Sequence, residues 1–166
     1  MGRTLVCACA TAVALTLAVP AGAALPRAGA LVPGVSLGGV RLGEPAAQVR
    51  AALGSFHGVC RSCARTTWYF TYGSFDRHGL GVELTSGRVS AVYTLWQPSG
   101  WHAHKGLLLG AVEAQVNRLA GVLLPVSCGT YRALVHDDGA ARSVYYISGG
   151  SLWGFGLVPA GSSPCR

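Results

Sequence analysis

Hydrophobic and polar positions change their period several times along the chain. Leu5 to Val19 is an apolar run that follows Arg3 and ends at Pro20, just before Ala21-Gly22-Ala23. A positive start, an apolar run and a small-x-small tripeptide are the order of an export signal cleaved after residue 23. The run is shorter than the roughly 20 apolar residues that span a bilayer. Residues 24–33 are rich in Ala, Pro and Gly and read as a flexible leader. A helical period follows. Val49 and Leu53 lie one turn apart on a face that seeks a core, Glu44-Pro45 suits the first turn, and Gly54 stands where the helix would be capped. The period then drops to two. Thr67–Tyr72 sets Trp68, Phe70 and Tyr72 on one face, and 81–96 reads as a β-hairpin turning at Ser86-Gly87.

The same order returns later in the chain. Gly43, Gln48, Val49 and Gly54 reappear as Gly110, Gln115, Val116 and Gly121, each 67 residues on. A constant offset over several positions is the mark of a repeated supersecondary unit. The second hairpin is Ser143–Leu157, with Ser148-Gly149 aligned on Ser86-Gly87. The pattern therefore predicts an α+β fold: two tandem helix-plus-antiparallel-meander repeats forming one continuous sheet, with helices on one face. Repeat one covers 34–96, a linker 97–105, and repeat two 106–166.

Processing after residue 23 takes Arg3 out of the 13 Lys+Arg, leaving 12 against 6 Asp+Glu. Lys105 is the sole lysine, and the arginines are scattered singly. A nucleic-acid surface concentrates its charge on one face, so no nucleic-acid partner is expected. Attraction to anionic cell-envelope polymers needs only net charge. No second apolar run is long enough for a membrane span. Processing also removes Cys7 and Cys9 and leaves Cys60, Cys63, Cys128 and Cys165. An even set of cysteines in an oxidising compartment forms disulfides. Three pairings are open; the favoured one is Cys60–Cys63 with Cys128–Cys165, one bridge inside each repeat.

Candidate chemistry changes this picture little. Gly34-Val-Ser36-Leu-Gly38 matches a nucleophile-elbow pattern, but that elbow needs a preceding core strand and a large parallel sheet. Cys60-Arg-Ser-Cys63 with His57, His78, His102 and His104 would suit zinc or redox work only with a second ligand pair or a βαβ context. Glu44 and Glu113 fall on or near the helices and Asp137-Asp138-Gly139 reads as a turn, which leaves Asp76 and Glu83 near the first sheet. No catalytic residue, metal ligand or cofactor is expected.

Aromatic residues remain. Alternation sends Trp68, Phe70, Tyr72, Ala91 and Tyr93 to the helix-covered face, and Tyr69, Glu83, Thr94 and Trp96 to the other. In the second unit it sends Tyr146, Trp153 and Phe155 inward and Arg132, His136 and Tyr145 outward. Tyr69, Glu83, Trp96, Arg132 and Tyr145 thus form a candidate binding patch on an open sheet, in residue types that dominate interface hot spots.

The paired VRLG…AQVRAALG (40–54) and LLLG…AQVNRLAG (107–121), each followed by a (G/S)V-x-(L/Y)-x-S-G hairpin, resemble the tandem helix-plus-meander repeats of the secreted β-lactamase inhibitory protein family. Each repeat also resembles the small envelope domain of the outer-membrane assembly lipoprotein E family. The resemblance implies a concave antiparallel sheet that binds another protein. The expectation is a secreted or periplasmic, monomeric, non-catalytic module whose partner is a protein or an anionic envelope component. A pocket joining His57, His78 and a carboxylate would instead favour a small secreted hydrolase or metal-binding protein.

Overall fold

A computed structural model of the chain describes residues 24–166; the expected export signal, residues 1–23, lies outside them. The fold is α+β and mostly antiparallel sheet, with two short helices. One sheet has eight strands: β3 (Gly58–Cys60), β4 (Thr66–Thr71), β5 (Gly79–Thr85), β6 (Arg88–Leu95), β9 (Leu124–Ser127), β10 (Arg132–Asp137), β11 (Ala141–Ser148) and β12 (Ser151–Pro159). Their order is β3-β4-β5-β6-β12-β11-β10-β9, so two meanders meet along a seam between their last strands. The seam pairs Tyr93 with Gly156 and Val92 with Leu157. A small second sheet, ordered β2-β1-β7-β8, is made of β1 (Gly29–Val32), β2 (Ser36–Leu37), β7 (Trp101–Ala103) and β8 (Leu107–Leu108).

The helices are α1 (Ala46–Leu53) and α2 (Glu113–Ala120). Eight residues are too few for a helix to persist alone in water, so each is held by what it buries. Val49, Leu53 and Val116 are fully buried in one apolar cluster with Phe70, Leu80, Val82, Val92, Tyr145, Phe155 and Leu157. Burying such side chains stabilises by about 1.5–3 kcal/mol each. Backbone bonds fix where each helix begins: Ala46 N–H donates to the Gly87 carbonyl and Glu113 N–H to that of Gly150. Both helices end at a glycine with positive φ, 95° at Gly54 and 88° at Gly121, a conformation that strains any residue with a Cβ.

The hairpin turns carry the face assignments. Ser86 and Gly87 both have positive φ, the two-residue turn that matches strand twist. In the second hairpin the positive-φ pair is Gly149-Gly150, one residue beyond the expected Ser148-Gly149. Pairing is consistent with this: Glu83 faces Ala91 and Leu84 faces Val89, while 63 residues on Tyr146 faces Gly154 and Ile147 faces Leu152. Ser90 and Trp153 are the extra residues of two β-bulges.

Several expectations are corrected here. A one-residue slip in register sends every side chain to the opposite face. Tyr145 therefore lies on the helix-covered side at 1% exposure, and Tyr146 lies on the open side. Arg132, opposite Ile147, also lies on the helix side and pairs with Glu113 at the start of α2. The bulge at Ser90 inverts alternation in β6, so Ala91 and Tyr93 face away from the helices. Thr94, expected outside, is buried at 1% and its hydroxyl ties β6 to the Phe155 backbone. The segment read as a flexible leader supplies β1, with Leu25 and Leu31 buried, and the segment read as a linker supplies β7. These two pair in parallel around Trp101, which is 1% exposed. Its ring lies so close to Gly29 and Gly38 that a Cβ at either would fall 2.5–2.6 Å from it, and its Nε1–H donates to Tyr72 Oη at 2.8 Å.

Both disulfides form in the favoured pairing, Cys60–Cys63 and Cys128–Cys165. Among the described residues no helix is long and apolar enough to cross a membrane.

A candidate aromatic groove on the sheet

The face of the eight-stranded sheet away from the helices has its own apolar cluster, built on Ala91, Ala133, Val135, Val144, Tyr146 and Val158. Over the seam it hollows into a groove of about 490 Å³. Tyr69 on β4, Tyr93 on β6, Trp96 just beyond it, Tyr131 before β10, Tyr146 on β11 and Trp153 on β12 all border it, with Arg166.

Missing side chains make the hollow. Tyr69, Gly81 and Tyr93 lie in register across β4, β5 and β6, and Tyr93 continues to Gly156 on β12. A Cβ at Gly81 would fall 2.6 Å from the Tyr93 ring, and one at Gly156 would fall 2.9 Å from Tyr93 Cβ and 3.1 Å from Tyr146 Oη. The rings therefore lie across bare backbone. At the other end Tyr131 meets both Tyr146 and Trp153 nearly edge-on, each with ring centroids 5.9 Å apart. Such edge-to-face packing is a favoured arrangement of aromatic rings. The bulge at Trp153 explains how it shares a face with Tyr146, since the extra residue re-aims its side chain.

Arg166 crosses this face. The Cys128–Cys165 bridge holds the segment down, and the Tyr131 hydroxyl accepts from Arg166 N–H at 2.6 Å while donating to its carbonyl. The Arg166 guanidinium reaches Glu83, Nε to Oε1 at 3.0 Å, as an ion pair rather than a well-directed hydrogen bond. Arg65 takes the other carboxylate oxygen at 3.0 Å. Glu83 is thus buried and held between two arginines. At the rim, the Arg77 guanidinium lies 5.6 Å above the Trp96 ring.

Burial raises the phenols on this sheet. Desolvation is the main cause for Tyr93 and Tyr146, reinforced at Tyr93 by the charge of Glu83, and both stay protonated well above the ordinary tyrosine range. On the helix side, desolvation with the charge of Asp138 pushes Tyr145 up to about 12. Each of these groups is a hydroxyl donor or acceptor at neutral pH and not a base.

Of the five residues expected to bind, the structure brings Tyr69 and Trp96 to the groove. Glu83 is on the same face but engaged by arginines, and Arg132 and Tyr145 are on the other side. Sequence reasoning missed Tyr93, Tyr131, Tyr146, Trp153 and Arg166. One signal was readable: Gly79-Leu-Gly81 and Gly154-Phe-Gly156 put glycines at alternate positions, where a strand face lacks side chains.

The other chemical candidates find ordinary places. Ser36 is buried in β2. Ser143 donates to Asp138 Oδ2 at 2.7 Å and accepts from Gly34 N–H at 3.1 Å, which pins the β1–β2 turn to the β10–β11 hairpin. His57 stacks on Trp68 with centroids 4.1 Å apart, and His78 pairs with Asp76 at 2.7 Å. Among the described residues no three His, Cys, Asp or Glu side chains cluster as a metal site. Comparison with protein-family models, curated proteins and solved structures gives no match.

Proposed function

We propose that this chain is an exported, non-catalytic binding protein that engages another protein through the aromatic groove. The observation that carries this reading is the convergence of six aromatic side chains and one arginine on a single concave surface. Tyr, Trp and Arg are the residue types that contribute most to interface hot spots. The loop between β4 and β5, which sends Arg77 over Trp96, also carries Phe75, fully exposed. Two disulfides and the signal-like residues 1–23 support a secreted or periplasmic location. The basic balance favours residence near anionic envelope polymers.

The same reading takes the two meanders as tandem repeats of the kind the inhibitory-protein family has. In support, α1 and α2 begin and end 67 residues apart, and the two bulges lie 63 residues apart. Arg132 and Tyr145 are no longer part of the surface; Tyr69, Trp96, Tyr131 and Trp153 are.

The test has two steps. N-terminal sequencing of exported protein should begin at or near Ala24. Immobilised mature protein should then capture a partner from culture medium or envelope extract. Trp96 is 58% exposed, so Trp96→Ala should leave melting nearly unchanged while costing about 2 kcal/mol or more of affinity for that partner. Equal affinity of the variant would remove the groove from the interface.

A further inference from the structure

The two disulfides sit in different surroundings. Cys128–Cys165 joins residues 37 apart, both half-buried, and Cys128 packs on the apolar cluster of the open sheet face. Cys60–Cys63 joins residues 3 apart at the end of β3, an edge strand of the eight-stranded sheet. Cys60 is half-buried, whereas Arg61 to Thr66, Cys63 among them, are exposed. The free energy by which a bridge stabilises a fold is also the free energy by which the fold resists its reduction. A short loop constrains the unfolded chain least, so the fold protects the Cys60–Cys63 bridge least. Exposed bridges of this kind are the labile ones, open to exchange with thiols.

The same loop suits the thiolates that exchange releases. A hydroxyl stands beside each sulfur: Ser62 Oγ is 3.8 Å from Cys60 Sγ, and Tyr69 Oη is 3.8 Å from Cys63 Sγ. A disulfide sulfur carries no proton, so the hydroxyls are the donors, and such contacts strengthen when the acceptor gains charge. Arg61 and Arg65 flank Cys63, and the chain has no Asp or Glu between Glu44 and Asp76. Among the described residues the carboxylate that reaches Arg65 is Glu83, which Arg166 shares, so the region keeps a net positive charge. Positive neighbours favour a thiolate over a thiol, as a helix N-terminus does in other folds.

We propose that Cys60–Cys63 is a thiol–disulfide exchange site that accepts two electrons from a dithiol of an exported partner protein. One partner thiolate attacks the exposed Cys63 Sγ, the S–S bond breaks, and Cys60 leaves as a thiolate beside Ser62. The partner's second thiolate then attacks its own sulfur in the mixed disulfide and releases Cys63 as a thiolate beside Tyr69. The partner ends as a disulfide, and the chain ends as a dithiol that takes up the two protons the partner lost. This chemistry goes beyond binding at the groove and does not depend on it.

The probe is dithiothreitol, a small dithiol. The disulfide-bonded mature chain is equilibrated with graded mixtures of reduced and oxidised dithiothreitol, and each bridge is counted by alkylation and mass spectrometry. The equilibrium constant for opening Cys60–Cys63 should exceed that for Cys128–Cys165 by about tenfold or more, which is about 30 mV. The circular dichroism spectrum should stay unchanged as the short bridge opens. Cys63 in Cys60→Ser should react with an aromatic disulfide reagent about tenfold faster than Cys60 in Cys63→Ser, because its sulfur is the exposed one. Ser62→Ala should slow opening of the bridge about threefold while leaving melting unchanged, because the leaving thiolate loses a donor. Bridges that open together, loss of structure when the short one opens, a Cys60 thiol that outpaces Cys63, or an opening rate indifferent to Ser62→Ala would each overturn the proposal.

Discussion

The Cys128–Cys165 bridge is the feature whose removal is best quantified. It joins residues 37 apart in sequence, whereas Cys60–Cys63 joins residues 3 apart. In the chain-entropy account a cross-link stabilises by restricting the unfolded chain, and the effect grows with the logarithm of the loop. The long bridge is then worth about 4 kcal/mol and the short one about 2 kcal/mol. For a chain of this size each kcal/mol moves the melting temperature by about 2–4 °C, so Cys128→Ser with Cys165→Ser should lower it by about 8–16 °C. The native contacts add a local effect. Without the bridge, Arg166 keeps its contacts with Tyr131, Glu83 and the Tyr93 ring but loses the covalent tether beside them. The double variant should therefore change the groove's tryptophan fluorescence even below its melting transition, while Cys60→Ser with Cys63→Ser should not. Calorimetric melts of both double variants, with fluorescence at 25 °C, decide the matter. Equal melting temperatures for the two, or a larger fall for the Cys60/Cys63 pair, would refute the loop-length argument and with it the role of this bridge as the anchor of Arg166.

Two further outcomes are expected. Trp101→Ala removes a ring 1% exposed and seated against two glycines, so it should cost about 3–5 kcal/mol in chemical denaturation; a loss below about 1 kcal/mol would mean that β1 and β7 are not docked as described. Stability should also fall as pH rises above about 10, because Tyr93, Tyr145 and Tyr146 keep protons in the fold that the unfolded chain releases near that pH. Below that pH these groups contribute no pH dependence. Denaturant midpoints from pH 8 to 11 would show this, and a flat profile would mean that the phenols are not desolvated.

Local rules made part of this protein legible. The helix positions followed from apolar residues one turn apart and from glycines at the ends, because a helix is closed by contacts within a few residues. The first hairpin followed from Ser86-Gly87 for the same reason. Of the three disulfide pairings left open, the favoured one, with a bridge inside each half of the chain, is the one that forms. What stayed hidden was decided between distant segments. β11 is buried along nearly its whole length, from Ala141 to Ile147, so alternation supplied no phase to tell Tyr145 from Tyr146. The extra residues Ser90 and Trp153 reversed side-chain direction within strands, and a bulge is set by how a strand meets its neighbour. The leader and the linker hold strands that pair with each other across about 70 residues around Trp101. The groove is the clearest case. Its rings come from both halves of the chain, its floor is the absence of side chains at Gly81 and Gly156, and Arg166 reaches it through a bridge to Cys128. A concave site of that kind exists only where the two meanders join, so the sequence set its residue types and the tertiary structure alone assembled them.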